Sequence, residues 1–259
     1  MSPTTDFLNH SRAIIDRVAE QESLIQQAAG IFTATILAGR MVHVFGSGHS
    51  RMMVEEMWPR YGSFPGWNPI VELSLSFHNL VVGANGQRQA MFLENVSGLA
   101  VRILRNYDLT DQDTALVISS SGCNVVPIEM AAEFQKRRIK VVALVSQLHL
   151  DASTTRDARG KKLTDFADII LDTGAPVGDA MVTVPGLDTP VAPGSTVGGC
   201  LLINSIKAET AARLTAAGLP PKVLTSPVIC GKKRATDLFE SAYDEHAHRL
   251  SRLYANVGP

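Results

Sequence analysis

Thr-Ala-Leu-Val-Ile-Ser-Ser-Ser-Gly-Cys-Asn, residues 114 to 124, is the stretch that decides the fold. Its first half is a short, wholly apolar run, the pattern of a strand covered on both faces. Its second half is small and hydroxylated, and the helix-like segment Val125 to Lys136 follows at once. A strand that ends in serines and a glycine and then opens a helix aims several backbone N–H groups and hydroxyls at one spot. Such a spot suits a phosphate.

Working outward, the same design occurs once before. Met41-Val42-His43-Val44-Phe45 runs into Gly46-Ser47-Gly48-His49-Ser50 and then into a helical stretch from Arg51 to Arg60. Glycines 46 and 48 permit backbone angles closed to other residues and let a ligand approach the main chain. Two such cradles point to a sugar phosphate or nucleotide rather than a protein partner. Arg51 stands where a dinucleotide fingerprint needs its third glycine, and no Gly-Lys-Ser/Thr of a P-loop occurs.

The flanking segments complete an alternating pattern. Apolar positions from Phe7 to Ile36 give helical periodicity over two consecutive helices, with Gly30 as the break and Gly39 as the stop. A helix over 50–61 follows the first loop. Residues 61–69 read as a Gly/Pro-rich connection, 70–73 as strand-like, and a loop then carries His78 and Asn79. Residues 87–106 read as one helix, 141–145 and 167–171 as strands, and 181–184 as an edge strand. An apolar helix starts at Pro193-Gly194-Ser195-Thr196 and runs to about Ala217. A charged helix over 235–255 has Glu245 and Arg249 one turn apart, an ion pair expected on its surface. Strands and helices alternating at this spacing imply a parallel sheet with crossover helices. The expected architecture is a single α/β domain over 1–259, with N-terminal helices over 5–39 and a C-terminal helical extension over 220–259; its core at 35–215 is the span over which a family resemblance, given below, runs.

Composition narrows the partners. Twenty-four Lys and Arg against 25 Asp and Glu give a net charge of −1, so polyanions are not attracted by charge alone, and no nucleic-acid partner is expected. No apolar run has the length of a membrane span and the first residues lack a secretory pattern, which implies a cytoplasmic protein with no membrane partner. Cysteines 123, 200 and 230 lack metal-ligand spacing and read as reduced thiols, and His246 and His248, two apart on a helix, do not share a face, so no metal site is expected.

The two loops, in this order and separation, resemble the phosphosugar-binding signature of the SIS (sugar isomerase) domain family. Ser47 matches the serine of the first loop. Ser119, Ser120, Ser121, Gly122 and Cys123 match the Ser-x-Ser-Gly-x part of the second, with Asn124 in place of its final hydroxyl. The resemblance implies a flavodoxin-like parallel sheet of about five strands with helices on both faces, a phosphate held without metal or cofactor, and a homodimer or homotetramer. Glu55-Glu56-Met57-Trp58-Pro59-Arg60-Tyr61 is similar to a segment of sedoheptulose 7-phosphate isomerases whose second glutamate is the catalytic base, a role that falls on Glu56. Those isomerases carry a catalytic histidine where Asn204 stands here. The whole chain is similar to a bacterial subgroup of single SIS-domain proteins whose activity is unassigned.

The chemistry so implied is aldose–ketose isomerisation through an enediol, which needs a base, a polar group for the enediolate and a phosphate anchor. Met52, Met53 and Met57 around Glu56 would raise its pKa toward neutrality; the other reading of Glu56, and of Glu55, is a solvated helix face. His78 is a candidate acid, and His49 a contact for a substrate hydroxyl. Asp179, Ser195 and Thr196 either bind sugar hydroxyls or cap and turn the chain. Two other functions are compatible with the same loops: a sugar-phosphate sensor without turnover, and a lyase or deaminase acting on an amino-sugar phosphate.

Overall fold

The computed structural model describes residues 2–76, 82, 86–255 and 257. Two helices, α1 (Pro3–Ala19) and α2 (Glu22–Leu37), precede β1 (Val42–Gly46). A single 3-10 turn leads into α3 (Arg51–Met57), followed by β2 (Trp67–Ile70) and the short helices α4 (Leu73–Ser76), α5 (Gln87–Leu93) and α6 (Leu99–Leu104). Then come β3 (Thr114–Ile118), α7 (Val125–Lys136), β4 (Lys140–Val145), α8 (Gln147–Ala152) and β5 (Ile169–Asp172). A ribbon of β6 (Ala180–Val182) and β7 (Val191–Pro193) precedes α9 (Ser195–Ala216), α10 (Pro227–Cys230) and α11 (Lys232–Tyr254).

Among the described residues the main sheet has five strands in the order β2-β1-β3-β4-β5, every pair parallel. Strand alternation sorts the side chains into two cores. Val42, Val44, Leu116, Ile118, Val142 and Leu144 face α1, α2, α3 and α9. Phe45, Ala115, Val117, Val141, Ala143 and Val145 face α6, α7 and α8. Both faces are thus covered, which is why the strands read as unbroken apolar runs. α9 passes so close to the end of β5 that a Cβ on Gly198 would lie 1.8 Å from the carbonyl oxygen of Thr173. That contact fixes the helix over the carboxyl edge of the sheet.

Several boundaries differ from the sequence expectation, each for a physical reason. Gly30 lies inside α2, and the break falls at Glu20–Gln21, where the Gln21 amide donates to the carbonyl of Asp172 at 2.8 Å and accepts from its N–H at 2.7 Å. α3 stops at Met57 because Trp58, ahead of a proline, is extended. The second strand is Trp67–Ile70 rather than 70–73; it is an edge, and Pro69 is tolerated there. The segment over 87–106 is two helices, with Gly98 at φ +86° between them. The strand expected at 181–184 pairs with β7 outside the main sheet. Glu245 and Arg249 do pair, at 2.9 Å, but Arg249 is buried and also donates to the carbonyls of Ile36 and Arg40, so the pair tethers α11 to α2.

Candidate functional site

The sheet order reverses between β1 and β3, and in doubly wound sheets ligands bind at the carboxyl edge of such a switch point. There a cavity of about 240 Å³ opens, small against the roughly 300–1,000 Å³ of sites for drug-sized ligands. Ser47, Gly48 and His49 line it from the loop after β1, Ser119, Ser120, Ser121 and Asn124 from the loop after β3, and Asp179, Ser195 and Thr196 from beyond β5. Ten of the residues singled out in the sequence are thus brought together.

Gly46 and Gly122 stand behind them as loop formers. A Cβ on Gly46 would lie 2.7 Å from the Ser50 carbonyl, while Gly48 and Gly122 have φ of +56° and +59°. In the second loop the Ser119 hydroxyl oxygen accepts from the N–H of Gly122 at 3.2 Å and that of Ser121 from the N–H of Cys123 at 3.3 Å. Each oxygen is held as an acceptor, which leaves its hydrogen to donate to an anion. Cys123 is buried, and burial pushes its thiol up, so it fills space rather than offering a thiolate.

At the far side Asp179 and Ser195 line the cavity and also cap the chain. The Asp179 carboxylate accepts from the N–H of Gly194 at 3.0 Å, from that of Ser195 at 2.6 Å and from the Ser195 hydroxyl at 2.8 Å. The start of α9 is therefore already satisfied by a carboxylate.

Three lining residues had escaped the sequence reading, Gln87, Glu94 and His149, and Ser50 had been read only as part of the first loop. Glu94 sits at the end of α5, where the helical run breaks. One carboxylate oxygen accepts from the Ser47 hydroxyl at 3.0 Å and the other from the Asn124 amide at 2.8 Å, so the side chain spans both loops. Burial pushes its pKa up, only partly offset by the Ser47 hydroxyl, the charge of Arg156 and the Asn124 amide. His149, on α8, accepts the N–H of Gly178 at Nδ1, at 2.9 Å. Glu94 carries no motif; the only sequence trace is the Asn-Val-Ser-Gly break after it.

A SIS domain profile matches residues 6–146, more than half of the chain. A UPF0309 protein of Halalkalibacterium halodurans is 33% identical over 93% of this chain and 98% of its own length. The chain belongs to the SIS domain family. A UPF0309 protein of Brucella canis is 32% identical over 94% of this chain and 96% of its own. The phosphoheptose isomerase of Francisella tularensis has the same fold, with a TM-score of 0.50 at 16% identity, over 81% of this chain and 98% of that one.

In this SIS domain the two glutamates of the sequence segment lie outside the cavity lining. Glu55 is exposed, 3.9 Å from Arg51. Glu56 is engaged on all sides: it pairs with Arg60, accepts from the Asn204 amide at 2.8 Å, and stands 4.0 Å from Lys207 Nζ. Burial pushes Glu56 up, but the Asn204 amide, Arg60 and Lys207 outweigh it and hold the carboxyl below its ordinary range. The expected rise toward neutrality is therefore corrected, because the Asn204 amide and two cations outweigh the effect of burial. The buried Lys207 ammonium, which donates to the Glu56 carbonyl at 2.8 Å and the Ser63 hydroxyl at 3.2 Å, completes this cluster. His78 lies outside the described residues. His246 packs against the Trp58 ring at 5.3 Å.

A larger cavity, of about 600 Å³, lies between α2, the end of α9 and α11. It is lined mainly by apolar side chains and by Lys222, Asp244, Glu245, Arg249 and Arg252, and no set of hydroxyls converges on it. Among the described residues no helix is long and apolar enough to cross a membrane.

Proposed function

We propose that this SIS domain is an aldose–ketose isomerase of a sugar phosphate. The phosphate sits against the hydroxyls of Ser47, Ser119, Ser120 and Ser121 and the start of α7, with Gly46, Gly48 and Gly122 shaping the loops. His49 and Thr196 reach the sugar. Glu94 removes the proton from the carbon next to the carbonyl and returns it to the former carbonyl carbon, while the carbonyl oxygen gains a proton as the enediol forms and the neighbouring hydroxyl loses one as it collapses, so that no proton is gained or lost overall.

What carries this reading is one observation: a half-buried carboxylate with a raised pKa shares the cavity with both hydroxylated loops and is bonded to each. A base useful near neutral pH needs such an environment. Glu56, held ionised by the Asn204 amide, Arg60 and Lys207, is a poor acceptor of a proton, and Glu55 is solvated.

The test is turnover and binding across a panel of pentose, hexose and heptose phosphates. Glu94→Gln is expected to abolish isomerisation while keeping phosphosugar affinity. If the wild-type protein binds a sugar phosphate and never converts it, the domain is a sensor; if Glu56→Gln rather than Glu94→Gln stops turnover, the base is misassigned.

A further inference from the structure

His149 is placed by two anchors. It stands in the first turn of α8, directly after β4, where the Ser146 hydroxyl caps the helix by accepting the N–H of His149 at 3.4 Å and itself donates to the carbonyl of Ala175 at 2.8 Å. From the other side, Gly178 at φ +76° donates its N–H to Nδ1 of the ring at 2.9 Å. The turn that carries Gly178 is closed by the N–H of Asp179 donating to the carbonyl of Pro176 at 3.0 Å, and Asp179 is tied to the start of α9. The ring is thus clamped between the loops after β4 and β5.

A nitrogen that accepts an N–H carries no hydrogen of its own. The neutral imidazole is therefore fixed with its hydrogen on Nε2, as a donor. Among the described residues nothing accepts from Nε2, yet the ring lines the same cavity as the serines. The strand order gives this a direction. A phosphate between the loops after β1 and β3 has β4 one strand further along, about 4.8 Å away, which is the reach of the first sugar carbons.

We propose that His149 contacts the substrate, donating from Nε2 to a hydroxyl or carbonyl oxygen of the sugar, so that the cavity reads the sugar as well as the anion. This rests on the phosphosugar reading above. It makes His149 a specificity residue, distinct from the loops that hold the phosphate.

The two nitrogens can be separated by substitution. In His149→Asn the amide oxygen takes the place of Nδ1 and keeps the Gly178 bond, but nothing reaches where Nε2 stood. In His149→Gln the longer amide restores a donor near the Nε2 position. Binding is measured by calorimetry for wild type and both variants, with inorganic phosphate and with the tightest sugar phosphate of the panel. His149→Asn is expected to bind inorganic phosphate as wild type does and to lose about 5- to 10-fold in affinity for the sugar phosphate, the scale of one neutral hydrogen bond; His149→Gln should recover part of that loss. Wild-type affinity of His149→Asn for the sugar phosphate, or equal losses of both ligands in His149→Asn, would overturn the assignment. A different result, wild-type protein that gains no affinity from the sugar over inorganic phosphate, would instead remove the phosphosugar reading on which it stands.

Discussion

Polar side chains gather at both ends of the central sheet, and the two ends are built on opposite principles. At the amino end Arg40 forks onto Asp113, with Nε 3.0 Å and Nη2 2.6 Å from its two oxygens, and the N–H of Thr110 adds a bond at 2.8 Å. His43 and Asn68 are bonded at 2.9 Å beside it, all buried. Burial pushes Asp113 up, but His43 and Arg40 outweigh it and bring the carboxyl down to about 2. At the carboxyl end Glu94 is pushed upward instead, and Ser119 and Ser121 in the facing loop keep hydrogens in reserve. Where polar groups consume one another they hold the fold; where donors are left over they await a ligand. The Glu56 cluster on the flank, with its oxygens claimed by Arg60 and Asn204, is of the first kind.

The comparison is most exposed at its two carboxylates. Glu94→Gln should lower turnover by roughly 10²- to 10⁴-fold, the usual contribution of a general base, with phosphosugar affinity retained. Because its pKa is raised, activity should fall on acidification at a pH above the ordinary glutamate value, and single-turnover rates against pH read this directly. Equal activity of wild type and Glu94→Gln would break the contrast between the ends.

At the other end, Asp113→Ala should cost about 3 kcal/mol of stability, since it leaves a largely buried arginine without its partner. Denaturant unfolding measures it, and phosphosugar binding by the folded fraction should be unchanged. The sign with pH follows from a depressed carboxyl: its contribution is present above its ordinary value of 3.8 and is lost as the pH falls toward about 2. A wild-type protein whose stability is flat through that window would place Asp113 in the wrong class.

Smaller effects sharpen the same distinction. Ser121→Ala removes one hydroxyl from the cradle and should weaken sugar-phosphate binding by about 1 kcal/mol, roughly fivefold, in thermal-shift titrations. Glu56→Gln is expected to do least, changing turnover by less than about threefold and stability by no more than about 1 kcal/mol, as for a partly exposed ion pair.

Much of this layout is legible in the sequence. The apolar runs 41–45, 114–118 and 141–145 announce strands buried on both faces, and the serines and glycines after the first two announce the cradle, because strand ends and helix starts are local properties. Glu94 is not legible. It lies inside a run that reads as one helix over 87–106, and what places it in the cavity is the turn at Gly98 together with packing against α7, where the N–H of Val126 donates to its carbonyl at 2.9 Å. Arg40 and Asp113 escape notice for the same reason, being 73 positions apart and joined only by the parallel pairing of β1 with β3. At the Glu55-Glu56 segment similarity marks the position, while Asn204, Arg60 and Lys207, brought there by the fold, set the chemistry of the Glu56 side chain.

The central claim is that both loops close on one anion. Backbone amide resonances followed by NMR during a titration with inorganic phosphate test it most directly. The account predicts saturable shifts concentrated at Ser47 to Ser50 and at Ser119 to Val125, with no comparable change near Lys222, Arg249 and Arg252. Shifts centred on that larger cavity, with the two loops silent, would contradict it.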